Sequence, residues 1–185
     1  MADRVAVFID GSNFYYQCRD NLGRTDVDFG AFTGWLVSPA RTLVRTYYYT
    51  VPLTPDHSEE QRTSQQKFLG ALHRVPYLEV RLGKLVRRDT TCPACGDHRE
   101  RHVEKGVDMR IGVDMVGGAA KKLYDTAILV SGDGDLAEAI KAVKELGQHV
   151  EVASFPKGRA YELMQEADVC RDLTVADLTP FYLHP

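Results

Sequence analysis

Long apolar runs are missing from this chain. The N-terminal run, Val5–Ile9, stops at Asp10, far short of a signal-peptide core or a membrane span. A cytoplasmic protein with no membrane contact is the default expectation. An excess of one charge is also missing: the net charge is −3 and the isoelectric point near 6.1. That balance excludes nucleic-acid binding by bulk charge, although a local basic groove remains open. Cysteine is scarce, with four residues in 185, two of them spaced Cys92-Pro-Ala-Cys95. Such usage does not make a disulfide framework, and Cys18 and Cys170 read as small core residues. No repeat or low-complexity stretch stands out, and the length suits one domain with a substantial core.

What is present is an alternation of short β-branched or aromatic runs with helical patterns, the sequence form of βαβ units around a mostly parallel sheet. Five strands are expected at Val5–Ile9, Leu43–Val51, Leu78–Val86, Thr126–Val130 and His149–Phe155. The first and fourth are almost continuously apolar, as central strands covered on both faces are, so they should be neighbours. Helices are expected near Ser12–Asp20, Phe29–Leu36, Ser58–Arg74, Gly106–Lys122, Asp135–Leu146 and Arg159–Glu166. The segment Asp89–Lys105 reads as an irregular insertion with its own chemistry.

Acids fall at the ends of the two central strands. Asp10 closes VAVFID and Asp133 follows AILVSG, while Asp108 opens a helix after Lys105-Gly106-Val107. Ligands of open α/β sheets bind beyond the carboxyl strand ends where the strand order reverses, so these acids should gather at one crevice. Three gathered carboxylates repel one another unless a cation joins them. Oxygen ligands of this kind suit Mg²⁺ or Mn²⁺. Each residue also has a plainer reading. Gly11 permits a tight turn, and Ser12 or Asn13 can cap the next helix; Asn13 can equally orient a phosphate or a water. Asp108 gains from a helix dipole with or without metal. Asp114 lies about 240° around the helix from Asp108, in apolar surroundings that call for a partner such as Arg110 or for a function. Asp135 can cap a helix with Glu138 three residues on, or contact metal directly or through water. Ser131 can bond a water or a phosphate, or simply shape the turn.

DGSN after the first strand, EKGVD opening a helix and SGDGDL at the fourth strand together resemble the NYN-domain proteins of the LabA-like group, relatives of the PIN nucleases. The likeness runs from about Arg4 to Leu173. It implies a Rossmann-like α/β fold over residues 1–176, with 177–185 as a C-terminal tail. It also implies an acidic site holding Mg²⁺ or Mn²⁺ and hydrolysing RNA phosphodiester bonds. By motif, the ligands fall on Asp10, Asp108 and Asp133, with Asn13, Asp114 and Asp135 supporting catalysis.

The remaining chemistry lies in the insertion. Cys92, Cys95, His98 and His102 supply four ligands within eleven residues, a pattern suited to a structural Zn²⁺ in a loop spanning 89–105. An unmetallated hairpin tip is the simpler alternative. Basic residues around it, Arg87, Arg88, Lys105 and Arg110, together with Ser12 and Ser131, are candidates for contact with RNA, expected to be single-stranded. A solvated charged loop would look the same. Lys157-Gly158-Arg159 is a weaker phosphate candidate. Tyr15, Tyr16 and Tyr47–Tyr49 could stack on bases, but core positions are the plainer reading. A homodimer is compatible with the sequence. The competing function is a weakly active or non-catalytic module, binding RNA or a protein partner on the same fold. An aspartyl phosphatase would want a second acid two residues after the first, where this chain has Ser12.

Overall fold

A computed structural model describes the backbone of residues 2–91 and 98–183, and the side chains of 2–86 and 105–183. Six parallel strands form one sheet: β1 (Arg4–Asp10), β2 (Thr42–Thr50), β3 (Leu78–Leu82), β6 (Thr126–Val130), β7 (His149–Ser154) and β8 (Val169–Asp172). Their spatial order is β3-β2-β1-β6-β7-β8. The chain therefore builds outward from β1 to β3, returns to the centre, and builds outward again from β6. The order reverses between β1 and β6, which pair as expected, with Ile9 beside Val130. A crevice opens at that point because the helices that follow the two strands leave to opposite faces.

Alternation along β1 feeds two cores. Val5, Val7 and Ile9 pack with Phe14 and Cys18 of α1 (Gly11–Leu22) and with Phe29, Phe32 and Leu36 of α2 (Phe29–Val37). Ala6 and Phe8 face Val107, Ile111 and Met115 of α4 (Val107–Ala120), Ile140 and Val143 of α5 (Ala137–Glu145), and Leu163 of α6 (Tyr161–Glu166). Every residue of β6 is buried, which explains why its sequence shows no alternation. Phe68 and Leu69 of α3 (Glu59–Leu72) join the first core from the side.

Several expected boundaries shift. There are six parallel strands rather than five; β8 is only four residues long, at a sheet edge, and carries too little pattern to be read. The expected strand Leu78–Val86 breaks at Gly83. Beyond it β4 (Lys84–Thr91) pairs antiparallel with β5 (His98–Lys105), so the supposedly irregular insertion is largely a two-stranded ribbon. Its cross-strand pairing lay outside any single-segment pattern. Residues 177–185, expected as a tail, instead belong to the packed domain as far as Leu183. After α7 (Val175–Leu178), Phe181 and Tyr182 pack on the first core, and the Asp28 amide donates to the Phe181 carbonyl at 2.7 Å.

The turn from β1 into α1 is tight for a steric reason. A Cβ on Gly11 would lie 2.5 Å from the Tyr48 ring and from the Tyr49 carbonyl of β2. The glycine lets helix and strand touch, which fixes where Asp10 ends. Gly11→Ala should therefore force β2 aside and cost about 1–3 kcal/mol, read as a lowered urea midpoint with an unchanged slope.

Candidate metal centre

Asp10, Asp108 and Asp133 converge. One carboxylate oxygen from each lies within 4.8 Å of the others. Asp10 comes from the end of β1, Asp108 from the first turn of α4, and Asp133 from the loop after β6. Asp10 is 3% exposed, Asp133 is half-buried and Asp108 is exposed. The group thus reaches from the sheet interior to solvent.

Local hydrogen bonds hold the two buried members. Asp10, not Ser12 or Asn13, caps α1: its Oδ1 accepts from the Asn13 amide at 3.1 Å. Its Oδ2 accepts from the Ser131 hydroxyl at 3.2 Å, and the same hydroxyl accepts from the Asp133 amide at 3.1 Å. Ser131 is therefore committed to the acids rather than held ready for a phosphate. Asp133 accepts from the Asp135 amide at 3.0 Å and caps a 3-10 turn at Gly134–Leu136. The expected capping role of Asp135 with Glu138 passes to Asp133, because the helix opens with that tighter turn and α5 has no side-chain cap. Asp135 stays exposed, near enough to contribute to the raised pKa of Asp108.

Asn13 is a brace. Its Oδ1 accepts from the Gly132 amide at 2.9 Å and from Gln17 Nε2 at 2.8 Å. Gln17, missed in the sequence, is a buried amide that also donates to the Gly158 carbonyl at 3.2 Å and accepts from the Phe155 amide at 3.3 Å. It joins α1 to the loops after β6 and β7. A polar residue on the buried stripe of Phe14 and Cys18 was the available signal. Gly132 has no alternative here, since a Cβ would lie 2.1 Å from Gln17 Nε2 and 2.4 Å from the Gly158 carbonyl.

Burial and like charge both oppose ionisation within the cluster. Burial, opposed by the Asn13 and Ser131 hydrogen bonds and reinforced by Asp108 and Asp133, pushes Asp10 up to about 6. Asp108 is raised by desolvation and by Asp133 and Asp135. Among the described residues no ion pair offsets any of the three. Three oxygen donors with one solvent-facing side fit a hard divalent cation that keeps some of its waters.

The other expected residues lie elsewhere. Asp114 is outside the cluster; Tyr49 Oη donates to it at 3.0 Å, beside a cavity of about 240 Å³ lined also by Tyr47, Arg81 and Lys121. Its partner is thus Tyr49 and not Arg110, whose guanidinium donates to the Leu82 carbonyl at 3.0 Å. Ser12 is half-buried in the first turn of α1. Tyr48 and Tyr49 are core, whereas Tyr15 and Tyr16 are about half exposed on α1. The helix turns them outward, and only the strand tyrosines follow the core reading. Arg159 pairs with Asp172 at 2.7 Å, leaving Lys157 as the exposed cation of its loop. Cys18 is buried, and its thiol is pushed up to about 12 by desolvation; Cys170 is half-buried on β8.

Cys92 and Cys95 lie outside the described residues. His98 opens β5 opposite Thr91, beside them in the chain, while His102 pairs with Arg87 four residues along. That is roughly 13 Å down an extended strand. Arg88 opposes Arg101 in the same ladder, and Lys105 at its end is exposed. No helix among the described residues is long and apolar enough to cross a membrane.

Comparison with known proteins is consistent with this geometry. A family model described as the NYN domain matches residues 4–174. The chain is 28% identical to the low amplitude and bright protein LabA of Synechococcus elongatus, covering 92% of this chain and 83% of that protein. A crystal structure of a Vibrio parahaemolyticus protein of unknown function shares the fold, with a TM-score of 0.69, 23% identity and 96% of each chain covered.

Two predictions follow from the charge and bracing of the cluster. Without metal, the folded chain keeps the Asp10 proton up to about pH 6, whereas the unfolded chain loses it near its ordinary value of 3.8. The folded state binds more protons in that window, so the associated stability is full below 3.8 and is lost as pH rises through about 6. Asn carries no charge and still caps a helix. Asp10→Asn should stabilise the metal-free protein near neutral pH by on the order of 1–3 kcal/mol and hardly at all near pH 4. Equal stability of the two proteins in neutral EDTA would contradict the burial account. Asn13→Ala should leave the three acids in place but loosen them, weakening Mn²⁺ binding roughly 10–100-fold by titration calorimetry.

Proposed function

We propose that this chain, which belongs to the NYN-domain family, is a metal-dependent ribonuclease that hydrolyses RNA phosphodiester bonds at Asp10, Asp108 and Asp133. The observation that carries the reading is the convergence of those three carboxylates within 4.8 Å at the point where the strand order reverses. NYN domains are PIN-like and generally bind RNA, and the acidic cluster supplies what hydrolysis needs.

Asp10, Asp108 and Asp133 would hold Mg²⁺ or Mn²⁺. The ion, when bound, would lower the pKa of an attacking water and offset charge on the leaving oxygen. Asp10 is the fixed end of the ligand set, locked by Asn13 and Ser131. Asp133 is positioned by its own turn. Asp108, exposed at the mouth, leaves room for a phosphate to approach. Exposed Asp135 stands two residues beyond Asp133, placed to hydrogen-bond a water. Asn13 and Gln17 tie α1 to the loops after β6 and β7. Asp114, hydrogen-bonded to Tyr49, supports α4 rather than the reacting atoms. Cys92 and Cys95, with His98 and His102, would take a structural Zn²⁺.

The test is incubation of the purified protein with end-labelled single-stranded RNA in Mn²⁺, Mg²⁺ or EDTA, beside the Asp10→Asn/Asp133→Asn double variant. Cleavage is expected from the wild type, none in EDTA, and none from the variant, which should remain folded. At limiting metal the rate should fall as pH drops through about 6, where the proton competes with the metal for Asp10, and saturating metal should move that fall to lower pH. Metal and RNA binding with no cleavage would overturn the enzyme reading and assign a binding module.

A further inference from the structure

In sequence the ribbon is mixed in charge. Between Lys84 and Lys105 lie the cations Lys84, Arg87, Arg88, Arg99, Arg101 and Lys105, interspersed with Asp89, Asp97, Glu100 and Glu104. The pairing of β4 with β5 sorts them. Lys84 opposes Lys105, Val86 opposes Val103, Arg88 opposes Arg101, and Thr90 opposes Arg99. Alternate pairs in a ladder share a face. One face therefore carries Lys84, Arg88, Arg99, Arg101 and Lys105 and no acid. The pairs between them, Leu85/Glu104, Arg87/His102, Asp89/Glu100 and Thr91/His98, place three acids and the remaining arginine on the other face.

Like charges directly opposite one another cost a ribbon stability, whereas opposite charges support it. Here two cation pairs, Lys84/Lys105 and Arg88/Arg101, stand in the unfavourable arrangement. Folding alone gives no reason for them; an anionic partner does. The position of the ribbon says which one. β4 leaves the sheet straight after β3, at the carboxyl edge where the acids gather, and β5 ends three residues before Asp108. Lys84 and Lys105, the pair at the root, are exposed. The eight-pair ladder starts from that edge and is roughly 24 Å long.

We propose that this cationic face is a docking track for the phosphate backbone of RNA, holding the strand outside the three-aspartate centre while a distant phosphodiester lies within it. The identity of the polyanion rests on the ribonuclease reading; the track itself rests on the strand register. Positive charge on the ribbon also complements the site, since a cluster of acids repels the substrate that it must receive. Arg87, on the other face, takes no part.

The test uses the full chain carrying Asp10→Asn and Asp133→Asn, in buffer with neither added divalent metal nor chelator, with a fluorescent single-stranded RNA and anisotropy across a salt series. Arg88→Glu and Arg101→Glu, made separately, each put a carboxylate opposite the remaining arginine, so the ribbon should stay paired and the melting temperature hold or rise. Each should weaken binding several-fold and lower the slope of log affinity against log salt by about 0.7, the share of one phosphate contact with a single strand. Arg87→Glu, an identical change of charge on the opposite face, should leave both readouts unchanged. Equal losses at Arg87 and Arg88, unchanged binding in all three, or no RNA binding by the parent protein would each overturn the proposal. The ribonuclease reading is judged separately by wild-type cleavage. Face-specific binding without cleavage would leave the track standing and remove the nuclease, and cleavage with normal binding by the ribbon variants would do the reverse.

Discussion

A carboxylate buried at the centre of a parallel sheet, with two more acids beside it, is the constraint around which the rest of this molecule is arranged. Asp10 is 3% exposed, and its ionisation is opposed both by burial and by Asp108 and Asp133. The fold tolerates that cost because two hydrogen bonds, from the Asn13 amide and the Ser131 hydroxyl, favour the charged form in part. What they leave uncompensated would favour a cation at the site. On the proposed reading, stability and function pull in opposite directions at this residue.

The scaffold that meets this demand is made of small, specific contacts. Gly11 lets α1 touch β2, and Gly132 lets the loop after β6 touch Gln17 and Gly158. Through Asn13 and Gln17, α1 and the loops after β6 and β7 share one hydrogen-bonded network. Buried polar networks of this kind hold a geometry only when every member is satisfied. An error in any loop would therefore reach Asp10 and Asp133 together.

Charge is partitioned on a larger scale as well. The near-neutral balance of the chain conceals an acidic centre at the sheet edge and a cationic face on the ribbon that leaves from the same edge. On the proposed reading the acidic centre would take a metal and repel RNA, and the ribbon would offer RNA a hold nearby. Neither feature would then serve a polyanionic substrate alone, which would tie the two in one functional account.

The sequence by itself determined the α/β class, the adjacency of the two central strands and the identity of the three acids. Those follow from local signals: continuous apolar runs, and acids placed at strand ends and at a helix start. Gln17 escaped notice because its partners, Gly158 and Phe155, lie 141 and 138 residues away in the chain. Only the tertiary structure could decide that Asp114 pairs with Tyr49 outside the cluster, because helix rotation and strand register jointly set that contact. The same holds for the ribbon. Which cations share a face depends on the pairing of β4 with β5, and a slip of one residue would recombine every pair; that relation between two strands is written in neither one.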